Sequence, residues 1–406
     1  MMGLLVGLAI LVGLVAGLAG YSTRSGTSDL GGRAQPLYVE AETIYSALAD
    51  ADTTAAQAFL AGGLEPPALT RRYEDDLERA SVALSAAARR TGEGSATAAA
   101  VRDLTSGVSR YAELVATARA DNRQGLPVGA SYLAAASRLN RDTLLPRADA
   151  LFTLSRGEVD HGFAGARSVL WLVFLGLLLV VLVVALLRAQ RYLSRATRRT
   201  FNVRLIAATG LTVALAVGAT GLFIAQNVHL HRAAHDGSTP MKSIADGRIL
   251  ALQIRGDEAL TLAARGSDTE SEKKLQAAKQ QLEARDGPLT DPAYARIDPG
   301  LGLRMRQAAT QFQRYADLHT KVHAMDTGGD YEGAVRLAIG TDTTATFENV
   351  RSAMDEAFEG RKAVFTEEIH SAGRGLGVFT VLGLVLALII CALVIAGVRP
   401  RLEEYR

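Results

Sequence analysis

Cysteine is almost absent from this chain. Cys391 stands alone, inside an apolar run, so no disulfide framework, lipid-modified cysteine box or cysteine metal site is available. Aromatic residues make up only 6% of the chain, and no segment alternates polar and apolar residues as a half-buried strand would. There is no glycine-rich phosphate loop, because GLVAGLAG lies in an apolar run without a following Lys-Ser or Lys-Thr. No nucleophile elbow and no paired catalytic acids stand out, so no enzymatic activity and no cofactor are expected. His231 and His235 are four residues apart, as are His319 and His323, which puts each pair on one helical face. Two ligands without a third at typical spacing do not make a zinc site, and no metal is expected. His319 also falls on the apolar seam of its helix, where a hydrogen-bonded core histidine is the expectation.

What the chain does have is four long runs without charge: Gly3 to Gly20, Val169 to Leu187, Leu205 to Ala225 and Leu376 to Val398. A helix needs about 20 residues to cross the hydrocarbon of a bilayer. Four transmembrane helices follow, and a mean hydropathy of +0.14 agrees. No Asp, Glu, Lys, Arg or His interrupts them, which argues against an ion or proton path. Gly3 and Gly7, Gly13 and Gly17, and Gly210, Ala214 and Gly218 form small-residue faces suited to close helix packing, within one chain or in a homo-oligomer.

Arg188, Arg191, Arg195, Arg198, Arg199 and Arg204 lie between the second and third runs, with no acid among them. Basic residues concentrate in short cytoplasmic loops, so this loop and both termini are expected inside the cell and the two long segments outside. Those segments carry 40 of the 42 acids and 35 of the 44 bases, a net of 35 − 40 = −5. The arginines sit hard against two spans and lack a binding fold, which excludes a nucleic-acid patch. They are expected to contact anionic lipid or a cytoplasmic partner.

SRYAELVATARADNRQGLPVGASYLA (109–134) and QRYADLHTKVHAMDTGGDYEGAVRLA (313–338) match at Arg110/Arg314, Tyr111/Tyr315, Ala112/Ala316 and Leu114/Leu318. They match again at Gly129/Gly333, Ala130/Ala334, Leu133/Leu337 and Ala134/Ala338, all at an offset of 204. The same offset carries the first span onto the third. The expected fold is therefore an all-α membrane protein with four transmembrane helices and two tandem extracytoplasmic four-helix bundles from an internal duplication. Its parts are spans at 1–20, 168–187, 205–226 and 375–398, bundles at 21–167 and 227–374, the basic loop at 188–204 and a tail at 399–406. Within the first bundle, helices are expected at Tyr38 to Leu60, through Tyr73 and Ala87, through Val101 and Val115, and from about Val128. TGEGS (91–95) reads as a turn. Asp121, Asn122, Arg123 and Gln124 put four polar groups at a helix end before a Gly-Leu-Pro turn, and they form the candidate outer binding site.

A span, an outer bundle and a returning span resemble the sensor half of bacterial chemoreceptors. AQAFLAGGLEPPALTRRYEDDLERA (56–80) and YAELVATARADNRQGLPVGASYLAAASRLNRDTLLPRADALF (111–152) resemble, more closely, the actinobacterial GlnX-type four-span membrane proteins. That resemblance implies an extracytoplasmic solute-binding lipoprotein and a cytoplasmic Ser/Thr kinase as partners, in a pathway sensing glutamate and controlling 2-oxoglutarate metabolism. The expected function is a non-enzymatic signal relay across the plasma membrane. A passive scaffold or an accessory subunit of a transporter is the alternative.

Overall fold

The computed structural model describes residues 2–61, 65–166, 169–197, 202–263 and 269–403. It is helical throughout, and no strand occurs among the described residues. In chain order the helices are α1 (Met2–Asp29), α2 (Gln35–Leu60), α3 (Pro67–Arg90), α4 (Ala96–Arg123), α5 (Val128–Leu139), α6 (Leu145–Ala166), α7 (Val169–Thr197) and α8 (Val203–Arg232). They continue as α9 (Thr239–Ala263), α10 (Thr269–Leu282), α11 (Ala293–Ile297), α12 (Pro299–Thr327), α13 (Tyr331–Ala338), α14 (Thr341–Gly373) and α15 (Leu376–Glu403). Three π-helical turns, Leu30–Ala34, Asn140–Leu144 and Ala233–Ser238, join α1 to α2, α5 to α6 and α8 to α9 without breaking the helical backbone.

The helix ends follow from local chemistry. Ser95 caps α4 by accepting from the Ala98 amide, and Asp330 caps α13 by accepting from Gly333. Gly125 and Gly329 take positive φ of 69° and 90° just after α4 and α12, where any other residue would be strained. The TGEGS turn falls between Arg90 and Ala96, as its composition predicts, with Gly94 also at positive φ. α14 and α15 are separated at Arg374 and Gly375, the latter with φ 81°.

The chain divides into two compact units. The apolar unit comprises Met1–Gly32, Val159–Ala234 and Thr366–Arg406, and the polar unit comprises Arg33–Glu158 and His235–Phe365.

In the apolar unit, four helices long and apolar enough to cross a bilayer lie in a ring. α1 packs on α15, α15 on α8, α8 on α7 and α7 on α1. Inward positions such as Val12, Leu182, Leu205 and Ile390 are fully buried. Outward positions are equally apolar: Leu14, Val173, Val217 and Val378 are all more than half exposed. A helix apolar on every side suits lipid, and this unit is consistent with a multi-pass membrane protein. α1 and α15 touch through small residues. A Cβ added at Gly13 would lie 2.5 Å from the Ala387 Cβ, one at Gly20 would lie 2.4 Å from the Thr380 Oγ1, and one at Gly383 would reach the Ala16 Cβ at 3.5 Å. Gly3, Gly7, Gly210 and Gly218 have open space instead, so one of the small-residue faces is used within the chain. Buried Gln226 on α8 donates to the Ala166 carbonyl at 3.2 Å and to Thr27 Oγ1 at 3.4 Å, which ties α8 to α6 and α1.

The polar unit gathers both long segments around two central helices. α2 packs on α3, α4, α5 and α9, and α9 packs on α10 and α13. From Leu37 to Ala58, all but three residues of α2 are buried, so this helix has no solvent face. The seam predicted for α4 is observed core, with Val101, Leu104, Val108, Tyr111 and Val115 buried, and α12 buries Met305, Ala308, Phe312, Tyr315 and His319 in the same way. Reading each segment alone did not foresee that α2 and α9 would pack together in a single unit.

Candidate functional site

Two helices as largely buried as α2 and α9 would normally be apolar. These carry acids: Glu42, Asp50 and Asp52 on α2, Asp257 and Glu258 on α9, each 5% exposed or less. A buried carboxylate is tolerated only when paired and hydrogen-bonded, and each of these is. Glu42 accepts from Arg248 of α9 at 2.7 Å, and Arg248 also reaches Asp355 of α14 at 2.6 Å. Burial pushes the Glu42 carboxyl above its usual range, with Arg248 opposing. Asp50 faces three guanidiniums, Arg72 at 3.6 Å, Arg79 at 3.1 Å and Arg351 at 3.3 Å. Beside it, burial and then the charge of Asp50 push Asp76 up to about 6.

Asp52 accepts from Ser137 at 2.8 Å, from the Tyr111 hydroxyl at 3.4 Å and from Arg141 Nε at 3.3 Å. Arg141 also pairs with Asp257, so one guanidinium joins α2 to α9. The π turn Asn140–Leu144 makes this possible. It turns two consecutive residues toward α2, Asn140 donating to the Leu48 carbonyl at 3.1 Å and Arg141 to Asp52. Gly256 gives the guanidinium its room: a Cβ there would lie 2.8 Å from Arg141 Nη2.

A second cluster lies beside it, at the same end of α9. Arg255 pairs with Glu258 and donates to the Ala338 carbonyl at 3.0 Å. With its amide oxygen turned inward, Gln57 of α2 accepts from Arg255 at 3.1 Å. Glu258 also accepts from Tyr315 at 2.8 Å and lies 3.0 Å from His319 Nδ1. Burial disfavours charge on His319, but Glu258 and Glu272 outweigh it and hold the ring at about 9. His319 is thus the hydrogen-bonded core histidine its seam position implied. Among the described residues no three of His, Cys, Asp and Glu are placed to hold a metal.

Between α2, the π turn, α6, α9 and α10 lies a cavity of about 560 Å³, within the range of small-molecule sites. Tyr45, Asp52, Thr53, Arg141, Asp142, Leu145, Pro146, Asp149, Ile249, Leu252, Gln253, Asp257, Lys274 and Gln281 contribute to its wall. Gln253 donates to the Tyr45 hydroxyl at 2.8 Å, and burial pushes that phenol up to about 12.

The residues expected to form the outer site lie elsewhere. Asp121, Asn122 and Arg123 end α4, and Gln124 is its C-cap. Asn122 donates to the Phe59 carbonyl at 3.5 Å, Gln124 donates to the Ala120 carbonyl at 3.4 Å, and none of the four lines the cavity. Of the basic loop, Arg188 and Arg191 are exposed on α7, and Arg204 is exposed on α8 and donates to the Ala396 carbonyl. Asn202 donates to Gly397 at 2.8 Å and caps α8, so this end of the loop is tied to α15. Arg195 is helical, while Arg198 and Arg199 lie outside the described residues.

The cavity residues escaped the sequence reading, although a signal existed. SALADADTTAAQAF and IRGDEAL place charges inside runs otherwise fit for a buried helix, and such charges must find partners.

No curated protein and no solved structure matches this chain. A family model described as "Actinobacterial sensor domain" matches residues 26–164, which include the α2, π-turn and α6 wall of the cavity. Over those residues the chain is similar to an actinobacterial sensor domain, and that similarity points to a sensing or signalling role.

Proposed function

We propose that this protein is a non-enzymatic signal relay of the plasma membrane, with both termini and the basic loop in the cytoplasm and the polar unit outside. The observation that carries this reading is the sensor-domain match over 26–164, in a chain that also has four helices fit to span a bilayer. The match extends over a cavity wall, so the polar unit is where a small ligand, or a ligand-loaded binding lipoprotein, is received. Arg188, Arg191, Arg195, Arg198, Arg199 and Arg204 present the signal to a cytoplasmic partner. On the GlnX-type resemblance, that partner is a Ser/Thr kinase acting on glutamate and 2-oxoglutarate metabolism.

We read the chain as one unit written twice. The element bounds favour this: adding 204 to α4 (96–123) gives 300–327 against α12 at 299–327, and adding it to α2 (35–60) gives 239–264 against α9 at 239–263. The π turns at 30–34 and 233–238 recur near the same offset. The polar unit is then a pseudo-dimer of two sensor halves, with its ligand wall shared between them.

Co-purification from membranes tests the relay. The intact protein and a variant with Arg191, Arg195, Arg198 and Arg199 changed to Gln are compared by mass spectrometry. The relay predicts a cytoplasmic kinase or regulator retained by the intact loop only. Equal recovery of membrane partners by both forms, with nothing cytoplasmic, would replace it with a scaffold.

A further inference from the structure

The cavity between α2 and α9 has a charge pattern that selects its ligand. Four acids line it, Asp52, Asp142, Asp149 and Asp257, against two bases, Arg141 and Lys274, a net of 2 − 4 = −2. The acids divide by depth. Asp52 and Asp257 are buried, and Arg141 neutralises them both. Asp142 and Asp149 are exposed and have no ion-pair partner among the described residues. Lys274 is also exposed and unpaired there, so it offsets only one of the two outer acids.

An anion entering this cavity would meet net negative charge, whereas a cation would meet carboxylates with no competing partner. The remaining wall includes Leu145, Pro146, Ile249 and Leu252, which offer hydrocarbon rather than water to the ligand body. A volume of about 560 Å³ is far larger than a bare metal ion needs. The described residues also place no three metal donors together. Charged ends for the two outer acids and a carbon body for the apolar wall together specify an organic diammonium ion.

We propose that this cavity binds a small organic diamine, one ammonium held by Asp142 and the other by Asp149, with its hydrocarbon packed on Leu145, Pro146, Ile249 and Leu252. This deepens the sensing role proposed above and rests on it, since it names the chemistry of the received ligand. The wall is built from both long segments, so an amine of this kind bridges α6 and α9.

Isothermal titration of the full chain in lipid nanodiscs with 1,4-diaminobutane tests this, with glutamate as the acidic comparison. Asp142→Asn and Asp149→Asn change exposed side chains and keep the helical circular dichroism of the parent as a folding control. The expected result is saturable diamine binding, at least tenfold weaker in each variant, with no saturable binding of glutamate. Diamine binding equal in parent and variants would overturn the assignment, as would the absence of saturable diamine binding or a preference for glutamate. These readouts do not involve the basic loop. A failed titration alongside a loop-dependent partner removes the amine and keeps the relay, and the reverse outcome removes the relay and keeps the amine site.

Discussion

The apolar and polar units solve the same problem, holding helices together, with opposite materials. Around α1 and α15, contact is made by what is missing: Gly13 and Gly20 let the helices approach until a single added carbon would collide. Around α2 and α9 it is made by charges that could not stay buried alone, Glu42 with Arg248, Asp52 with Arg141 and Asp257, Arg255 with Glu258. The difference follows from the solvent each unit faces. Lipid is as apolar as the side chains, so burial there supplies little and dispersion at close approach must do the holding. In water, burial supplies the attraction, and buried ion pairs add less net stability than directional specificity. That specificity suits a unit whose two central helices must meet in one register.

The largest test of the contrast is Glu258→Gln. It leaves Arg255 fully buried without its carboxylate and weakens the bonds of Tyr315 and His319, so a loss of about 3–5 kcal/mol is expected in denaturant unfolding of the polar unit. A loss below about 1 kcal/mol would show that the cluster is not the tie described here.

Next comes pH. The folded pKa of His319 is about 9 and its ordinary value is 6.5. The charged ring therefore contributes stability that is fully present below about pH 6.5 and is lost as pH rises through 9. The contribution is on the order of 3 kcal/mol at most. The unfolding midpoint should fall between pH 7 and 10 in the parent, and that fall should be missing from His319→Gln.

The smallest effect belongs to the apolar unit. Gly13→Val should cost about 1–3 kcal/mol by overpacking against Ala387. Gly210→Val, facing open space, should stay within about 0.5 kcal/mol. Melting of the two variants in detergent separates them. Equal effects would mean that the α1–α15 contact does not depend on its glycines.

Much of the architecture was legible in the sequence because it rests on local or one-dimensional signals. Four helices long and apolar enough to span a bilayer, the 3–4 steps from Val101 to Val115 and the TGEGS turn reappear as read. What was not legible depends on contacts distant in sequence. Asp76 is 2% exposed beside the half-buried Leu77, because Asp50 and Arg79 give its carboxylate a polar interior. Nothing in the local sequence marks Arg141 as buried. Only the π turn and the room left by Gly256 turn it toward Asp52 and Asp257. The polar run at Asp121 to Gln124 is legible as a helix end, whereas a cavity shared by two segments leaves no local mark.

The all-round burial of α2 has a consequence for biosynthesis. Its last residue is Leu60, and α9 begins at Thr239, about 180 residues later. At roughly 5–20 residues per second, α2 waits some 10–35 s for the helix that covers one of its faces. During that interval Asp52 and Arg141 are both already made, 89 positions apart, while Asp257 is not. The nascent first half can therefore form its internal ion pair early. It is then left with one uncovered face, carrying Glu42 and Gln57 without their arginine partners, and a half-used guanidinium, a template that only the arriving second half completes.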